Sequence, residues 1–204
     1  MTKSILLFQG DSNTDWNRKR NEPDDLGTGY VLEVSKLLPN TTILNRGISG
    51  DRCVELLARW QSDCLELTPD YLSIFVGINE IWHKYEWNKP MTVQEYEQNY
   101  RSLIEQVRRS LPHTKIILLS PFALPIGAYR PIWQSELDQE IRIVEALAKE
   151  YHTLYLSVSS IFQKAAQNHS FQELTFDGVH PTPLGHQILA RAVVDILQKE
   201  WNLS

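Results

Sequence analysis

Four short segments hold residues whose types and spacing could do chemistry. Gly10-Asp11-Ser12, Asn45-Arg46-Gly47-Ile48-Ser49-Gly50-Asp51 and Gly77-Ile78-Asn79-Glu80 each follow an apolar run, and Asp177-Gly178-Val179-His180-Pro181 stands near the far end. Acyl transfer to water needs a nucleophile, a base for its proton, a group that orients the base, and N–H donors for the oxyanion. Ser12 offers the nucleophilic hydroxyl. His180 is placed to take its proton and later return it to a leaving alcohol. Asp177 lies three positions before His180 in a tight Asp-Gly turn, so it can reach Nδ1 while Nε2 faces Ser12. The oxyanion donors would be the backbone N–H groups of Ser12 and Gly50 and the side-chain amide of Asn79. A glycine at 50 suits close approach of backbone to substrate.

Plainer readings compete with each segment alone. Gly10-Asp11-Ser12 also describes an Asx turn entering a helix. Asp177-Gly178 is a good turn, Thr182-Pro183 a good helix start, and Asn79 could cap the segment after it. None of these explains His180. The joint placement of all four beside strand or helix ends is what points to a site. Asp11 and Asp15 flank Ser12 but complete no calcium loop, lacking Gly and Glu at the needed offsets. His83, His113, His152 and His169 are scattered in polar or helix-end contexts and read as surface residues. His186 shares no helical face with His180. Neither metal nor cofactor is expected.

The elements that must position these residues follow from periodicity. Candidate strands are Ser4–Gln9, Thr42–Asn45, Tyr71–Val76, Lys115–Ser120 and Thr153–Leu156, alternating with helical stretches Tyr30–Leu38, Arg52–Leu67, Thr92–Leu111, Ser135–Tyr151 and Pro183–Trp201. In the third stretch, apolar or aromatic residues at 96, 100, 103, 104, 107 and 111 form one buried face. The runs Ile5–Phe8 and Ile116–Leu119 are apolar throughout, as strands covered on both faces are. Such alternation predicts a single α/β domain spanning 1–204, a three-layer α/β/α sandwich of flavodoxin type with about five parallel strands. In an open parallel sheet, ligands bind beyond the carboxyl ends of the strands. Three of the four segments directly follow candidate strands, and the fourth precedes the last helix.

Composition narrows the partners. The 204 residues include 20 Lys plus Arg and 25 Asp plus Glu, a formal charge of −5. That balance argues against nucleic acid, which requires clustered cations; Arg18-Lys19-Arg20 is followed directly by Glu22, Asp24 and Asp25. The apolar run Ile5-Leu6-Leu7-Phe8 is too short for a signal core or a membrane span. On one helix, Cys53 and Cys64 would stand roughly 16 Å apart, beyond disulfide reach. A reducing, cytoplasmic setting is expected.

The chain resembles the SGNH (GDSL-type) hydrolase superfamily. Its four signature residues fall on Ser12, Gly50, Asn79 and His180, with Asp177 three residues before the histidine. The resemblance implies an ester hydrolase of flavodoxin-like fold that needs no metal. Two positions depart from the usual pattern: Asn13 follows Ser12 where leucine is the norm, and Glu80 stands where aspartate is commoner. Leu26-Gly27-Thr28-Gly29-Tyr30-Val31, Gly77-Ile78-Asn79-Glu80-Ile81-Trp82 and His180–Ala192 are similar to the bacterial acetylxylan-esterase-like branch. That branch implies a small pocket shaped by Trp82 and Arg52, beside Asp11 as a further substrate-binding candidate, and is compatible with a homo-oligomer. Trp16, Tyr30, Trp82, Tyr85 and Trp87 suit stacking on a sugar ring, and no long apolar lid appears, which favours acetyl. The alternatives are a lysophospholipase or general short-chain carboxylesterase, and a non-catalytic anion- or nucleotide-binding module. The last is weakened by the Gly10–Thr14 loop, which has one glycine and no cation before Arg18.

Overall fold

The computed structural model describes residues 3–203. In chain order the elements are β1 (Ile5–Gly10), α1 (Ser12–Asp15), α2 (Tyr30–Leu37), β2 (Thr42–Asn45), α3 (Cys53–Asp63), β3 (Tyr71–Phe75), α4 (Ile78–Trp87) and α5 (Val93–Ser110). They continue with β4 (Lys115–Leu119), α6 (Gln134–Glu150), β5 (Leu154–Leu156), α7 (Val158–Ala165), α8 (Phe171–Leu174) and α9 (Pro183–Trp201). The strands form one parallel sheet in the order β2-β1-β3-β4-β5. This is the flavodoxin order, in which the chain leaves β1 to one side and β3 to the other.

Alternating side chains of each strand serve two cores. Leu6, Phe8, Phe75, Ile117 and Leu119 pack with α2, α7 and α9 on one face. Leu7, Leu72, Ile74, Ile116 and Leu118 pack with α3, α5 and α6 on the other. A smaller apolar cluster of Ile78, Ile81, Trp133, Leu137 and Val179 lies beneath the loops at the carboxyl ends of the strands. The three layers match the expectation from strand and helix alternation.

The helix ends show why the elements stop where they do. Thr92 caps α5 through a reciprocal pair with Glu95, and Thr182 caps α9 by accepting from the Gly185 amide, with Pro183 at the first helical position. The stretch expected as one helix over 52–67 divides: α3 ends at Asp63, and a separate 3-10 turn covers Leu65–Leu67. Cys64, at the break, has φ −134° and ψ −63°, outside helical space. Cys53 and Cys64 are both buried free thiols. Among the described residues, no helix is long and apolar enough to cross a membrane.

Candidate active site

The residues singled out by spacing converge beyond the carboxyl ends of β1 and β3. Ser12 opens α1 immediately after β1, with Asp11 as its cap. Asn79 lies in the first turn of α4, just after β3. Asp177 and His180 lie on the loop between α8 and α9. Ser12, Asn79, Asp177 and His180 line an open cleft of about 660 Å³ with Trp16, Asn17, Ser49, Gly50, Trp82, Trp87 and Phe176.

Ser12 Oγ lies 2.9 Å from His180 Nε2, and Asp177 Oδ2 lies 2.7 Å from His180 Nδ1. The other carboxylate oxygen accepts from the backbone N–H groups of His180 (2.9 Å) and Val179 (3.1 Å). Partial burial pulls the Asp177 pKa upward, but the His180 hydrogen bond and charge, with the two amides, outweigh it and hold the carboxyl below its usual range. An ionised Asp177 fixes the imidazole with a proton on Nδ1, leaving Nε2 free to accept from Ser12.

Ser12, Gly50 and Asn79, which carry the candidate donors, all line the cleft. Ser12 is the first residue of its helix, so its N–H has no acceptor within the helix. One amide hydrogen of Asn79 goes to Asp51 O at 3.0 Å, which fixes the plane of the side-chain amide. Gly50 has φ +89°, and a Cβ added there would meet no atom of the described residues within 4 Å. Its backbone conformation, rather than room among protein atoms, is what calls for glycine.

The aromatic walls are built with strain. Trp16 (φ 23°) and Asn17 (φ 63°) are consecutive non-glycine residues with positive φ, each of a kind that costs about 1–3 kcal/mol. Trp16 stacks on Phe176 with ring centroids 6.0 Å apart and rests against His186 at 4.9 Å. Gly27 and Gly29 are required beside it: a Cβ on Gly27 would lie 2.5 Å from Trp16 O, and one on Gly29 would lie 2.8 Å from Trp16 Cβ. Trp82 packs between Trp133 and His180. Trp87 lies over His83 at 4.1 Å and is 56% exposed, so one face meets solvent at the rim.

Several expected residues sit elsewhere. Asp11 is buried, and its side chain accepts from Asn13 N; it lies behind the cleft rather than lining it. Arg52 forks onto Glu55, with Nε 3.0 Å from Oε2 and Nη2 2.7 Å from Oε1, and also stays outside the lining. Tyr30 is fully buried in the core, and Tyr85 donates to Glu136. His83, read as a surface residue, is buried; burial, aided by the nearby Arg52 charge, lowers its pKa to about 4. Glu80 is buried as well, and its Oε1 accepts from Cys53 N. Sequence reasoning missed Phe176, Asn17 and Ser49, although Phe176 directly precedes Asp177. It also missed Arg59, which bridges Asp51, Asp63 and Gln9 behind the cleft. Among the described residues, no group of three His, Cys, Asp or Glu side chains is placed to hold a metal ion.

A sheet of this order, with acyl-transfer groups gathered where its chain direction switches, has the architecture of a carboxylic ester hydrolase. The chain belongs to the GDSL-like Lipase/Acylhydrolase family, whose model matches residues 8–188. It is 36% identical to the acetylxylan esterase of Geobacillus stearothermophilus over 96% of this chain and 94% of that protein. To an isoamyl acetate-hydrolyzing esterase 1 homolog of Rattus norvegicus it is 26% identical, over 96% and 82%. Among solved structures it matches a GDSL-family protein of Parabacteroides merdae with TM-score 0.89, 33% identity and 95% coverage of both chains. The G. stearothermophilus acetylxylan esterase matches with TM-score 0.87 and 35% identity, over 97% of this chain and 95% of that one. Structures of its catalytic mutants at a serine, a histidine and an aspartate are also similar to this chain.

Proposed function

We propose that this esterase removes short acyl groups, acetyl above all, from acylated carbohydrates such as xylo-oligosaccharides, using Ser12, His180 and Asp177. The observation that carries the reading is the continuous line of contacts from Ser12 Oγ to His180 Nε2 (2.9 Å) and from His180 Nδ1 to Asp177 Oδ2 (2.7 Å). Ser12 Oγ attacks the ester carbonyl carbon while its proton passes to His180 Nε2. The carbonyl oxygen becomes an oxyanion held by the N–H groups of Ser12 and Gly50 and the amide of Asn79. Collapse expels the sugar oxygen, which takes the proton from His180 and leaves an acyl group on Ser12. Water, deprotonated by His180, then attacks the acyl carbon. Carboxylic acid leaves, and the proton returns to Ser12.

Support for the substrate is of two kinds. Trp16, Trp82, Trp87 and Phe176 give the cleft aromatic faces of the sort that pack on pyranose rings. The similar proteins include one whose name is acetylxylan esterase and another named as a homolog of an isoamyl acetate-hydrolyzing esterase, both names that refer to acetate esters. The test is turnover of aryl acetate and of acetylated xylo-oligosaccharides beside octanoyl esters. Wild type should prefer acetyl, and Ser12→Ala should lose all three activities. Undiminished turnover by Ser12→Ala would remove the mechanism, and an octanoyl preference would remove the proposed substrate.

A further inference from the structure

The loop after β2 has an unusual pattern of backbone pairing. The Arg46 N–H donates to Phe8 O, Ile48 N–H to Gly10 O and Asp51 N–H to Ile48 O. Gly47 N–H donates to Asn45 Oδ1, Ser49 N–H to Asp15 Oδ2, and Arg52 N–H to Glu55 Oε2. Across 46–52, the amide of Gly50 alone has no acceptor among the described residues. Its neighbours are tied down one by one, and Gly50 itself lines the cleft.

The tie immediately before Gly50 is made by a carboxylate on the helix that carries Ser12. Asp15 is 4% exposed and ends α1. Its Oδ2 accepts from Ser49 N at 2.8 Å and meets Arg20 Nη2 at 2.5 Å, while Arg18 Nε stands 3.8 Å from Oδ1. Arg18 also donates to Gly47 O at 3.0 Å. Two cations thus offset the cost of holding this carboxylate in the interior and aim it at the loop. The packing is close here: a Cβ on Gly47 would lie 2.5 Å from Asp15 N.

We infer that Asp15 is a positioning residue for the oxyanion: it locks the direction of the Gly50 N–H relative to Ser12 by holding the Ser49 amide. The inference rests on the reading of Gly50 as an oxyanion donor given above. Ser49 itself is exposed, so water can satisfy its amide when Asp15 is removed. What is lost is a fixed direction, and misplacing a preorganised donor costs turnover rather than substrate binding.

The experiment is steady-state kinetics on aryl acetate with Asp15→Ala and Asp15→Asn, expressed per active site titrated with a fluorophosphonate. It is run with the affinity for an alkylboronic acid, whose Ser12 adduct places an oxygen in the oxyanion position. Asp15→Ala should lower kcat by about 10- to 100-fold, leave KM within about twofold, and weaken boronate binding by the same factor as kcat. Asp15→Asn keeps an acceptor oxygen for Ser49 and should restore kcat to within about threefold of wild type, even though its unpaired arginines lower the melting temperature. If the alanine variant does not fold, Asp15→Ser, whose hydroxyl is too short to reach the amide, takes its place. Unchanged kcat per titrated site, a loss confined to KM, or an asparagine variant as poor as alanine would each overturn the assignment. Ser12→Ala and Asn79→Ala run in parallel separate the two levels. Activity retained in both removes the esterase mechanism itself; activity lost in both, with Asp15→Ala intact, removes only the role of Asp15.

Discussion

Asp177 acts on His180 through both carboxylate oxygens, one on the ring and one on the backbone amides of Val179 and His180. The turn that delivers the carboxylate is therefore the turn that orients the imidazole, so replacement by an isosteric amide should preserve the loop while disturbing the ring. Asp177→Asn is expected to lower kcat on the order of 10⁴-fold, because the amide favours the wrong tautomer of His180. KM should change little, and circular dichroism should remain that of the wild type. A loss below tenfold would mean that His180 needs no carboxylate. Asn79 belongs to the same scale. Its amide plane is fixed by Asp51 O, and Asn79→Ala should reduce kcat by about 10²–10³-fold, the usual effect of deleting one oxyanion donor. Stopped assays on aryl acetate measure both.

At the scale of elements, the site depends on how closely α1 approaches the loop after β2. Gly47 permits this: a methyl there would press on Asp15 N at 2.5 Å and on Thr14 at 2.8 Å. Gly47→Ala should destabilise the fold by about 1–3 kcal/mol and also lower kcat, since the shift would separate Ser12 from Gly50. A thermal melt with kinetics per titrated site checks this, and a variant with normal stability and rate would show that the loop yields freely. The strands were readable from the chain because an all-apolar run such as Ile116–Leu119 has no other plausible place than a covered sheet. Helix α4 was not, because Asn79, Glu80 and His83 are buried along with Ile78 and Ile81, which erases any polar face. Glu80 shows the same limit at a single position. Its place after Asn79 gives no sign that its side chain joins α4 to the start of α3 through Cys53 N. Ser12, His180 and Asp177, the proposed nucleophile, base and orienting acid, could be picked out because acyl-transfer chemistry restricts residue type. The contacts around them could not: Asp15 meets Ser49 and Arg59 meets Gln9 across long stretches of chain, Phe176 stacks on Trp16, and Arg52, expected in the pocket, found a partner three residues away.

For the molecule as a whole, gathering polar groups at one end of the sheet leaves buried carboxyls behind the cleft, and these make stability depend on pH. Burial pushes the Asp11 carboxyl up to about 7; the Asp51 charge adds to this, while the Asn13 amide and the His180 charge oppose it. Burial likewise raises Glu80 to about 8, with the Asp11 charge contributing and the Cys53 amide opposing. A carboxyl whose folded pKa lies above its unfolded value of about 3.9 binds a proton in the native state that the unfolded chain has already released. Stability is therefore lost as pH rises from about 4 to 7 for Asp11, and the full penalty persists above that window. Asp177, held below its usual range, acts in the opposite sense, and its contribution is lost as pH falls through its folded value. The two can be separated with Asp11→Asn, which keeps an acceptor for Asn13 N but carries no charge. Its stability relative to wild type should rise between pH 4 and 7 and level off beyond, reaching at most a few kcal/mol, with each kcal/mol worth about 2–4 °C in melting temperature for a chain of this size. Denaturant or thermal unfolding at closely spaced pH values measures the difference, and one that stays flat from pH 4 to 8 would show that the native Asp11 carboxyl titrates as it does in the unfolded chain.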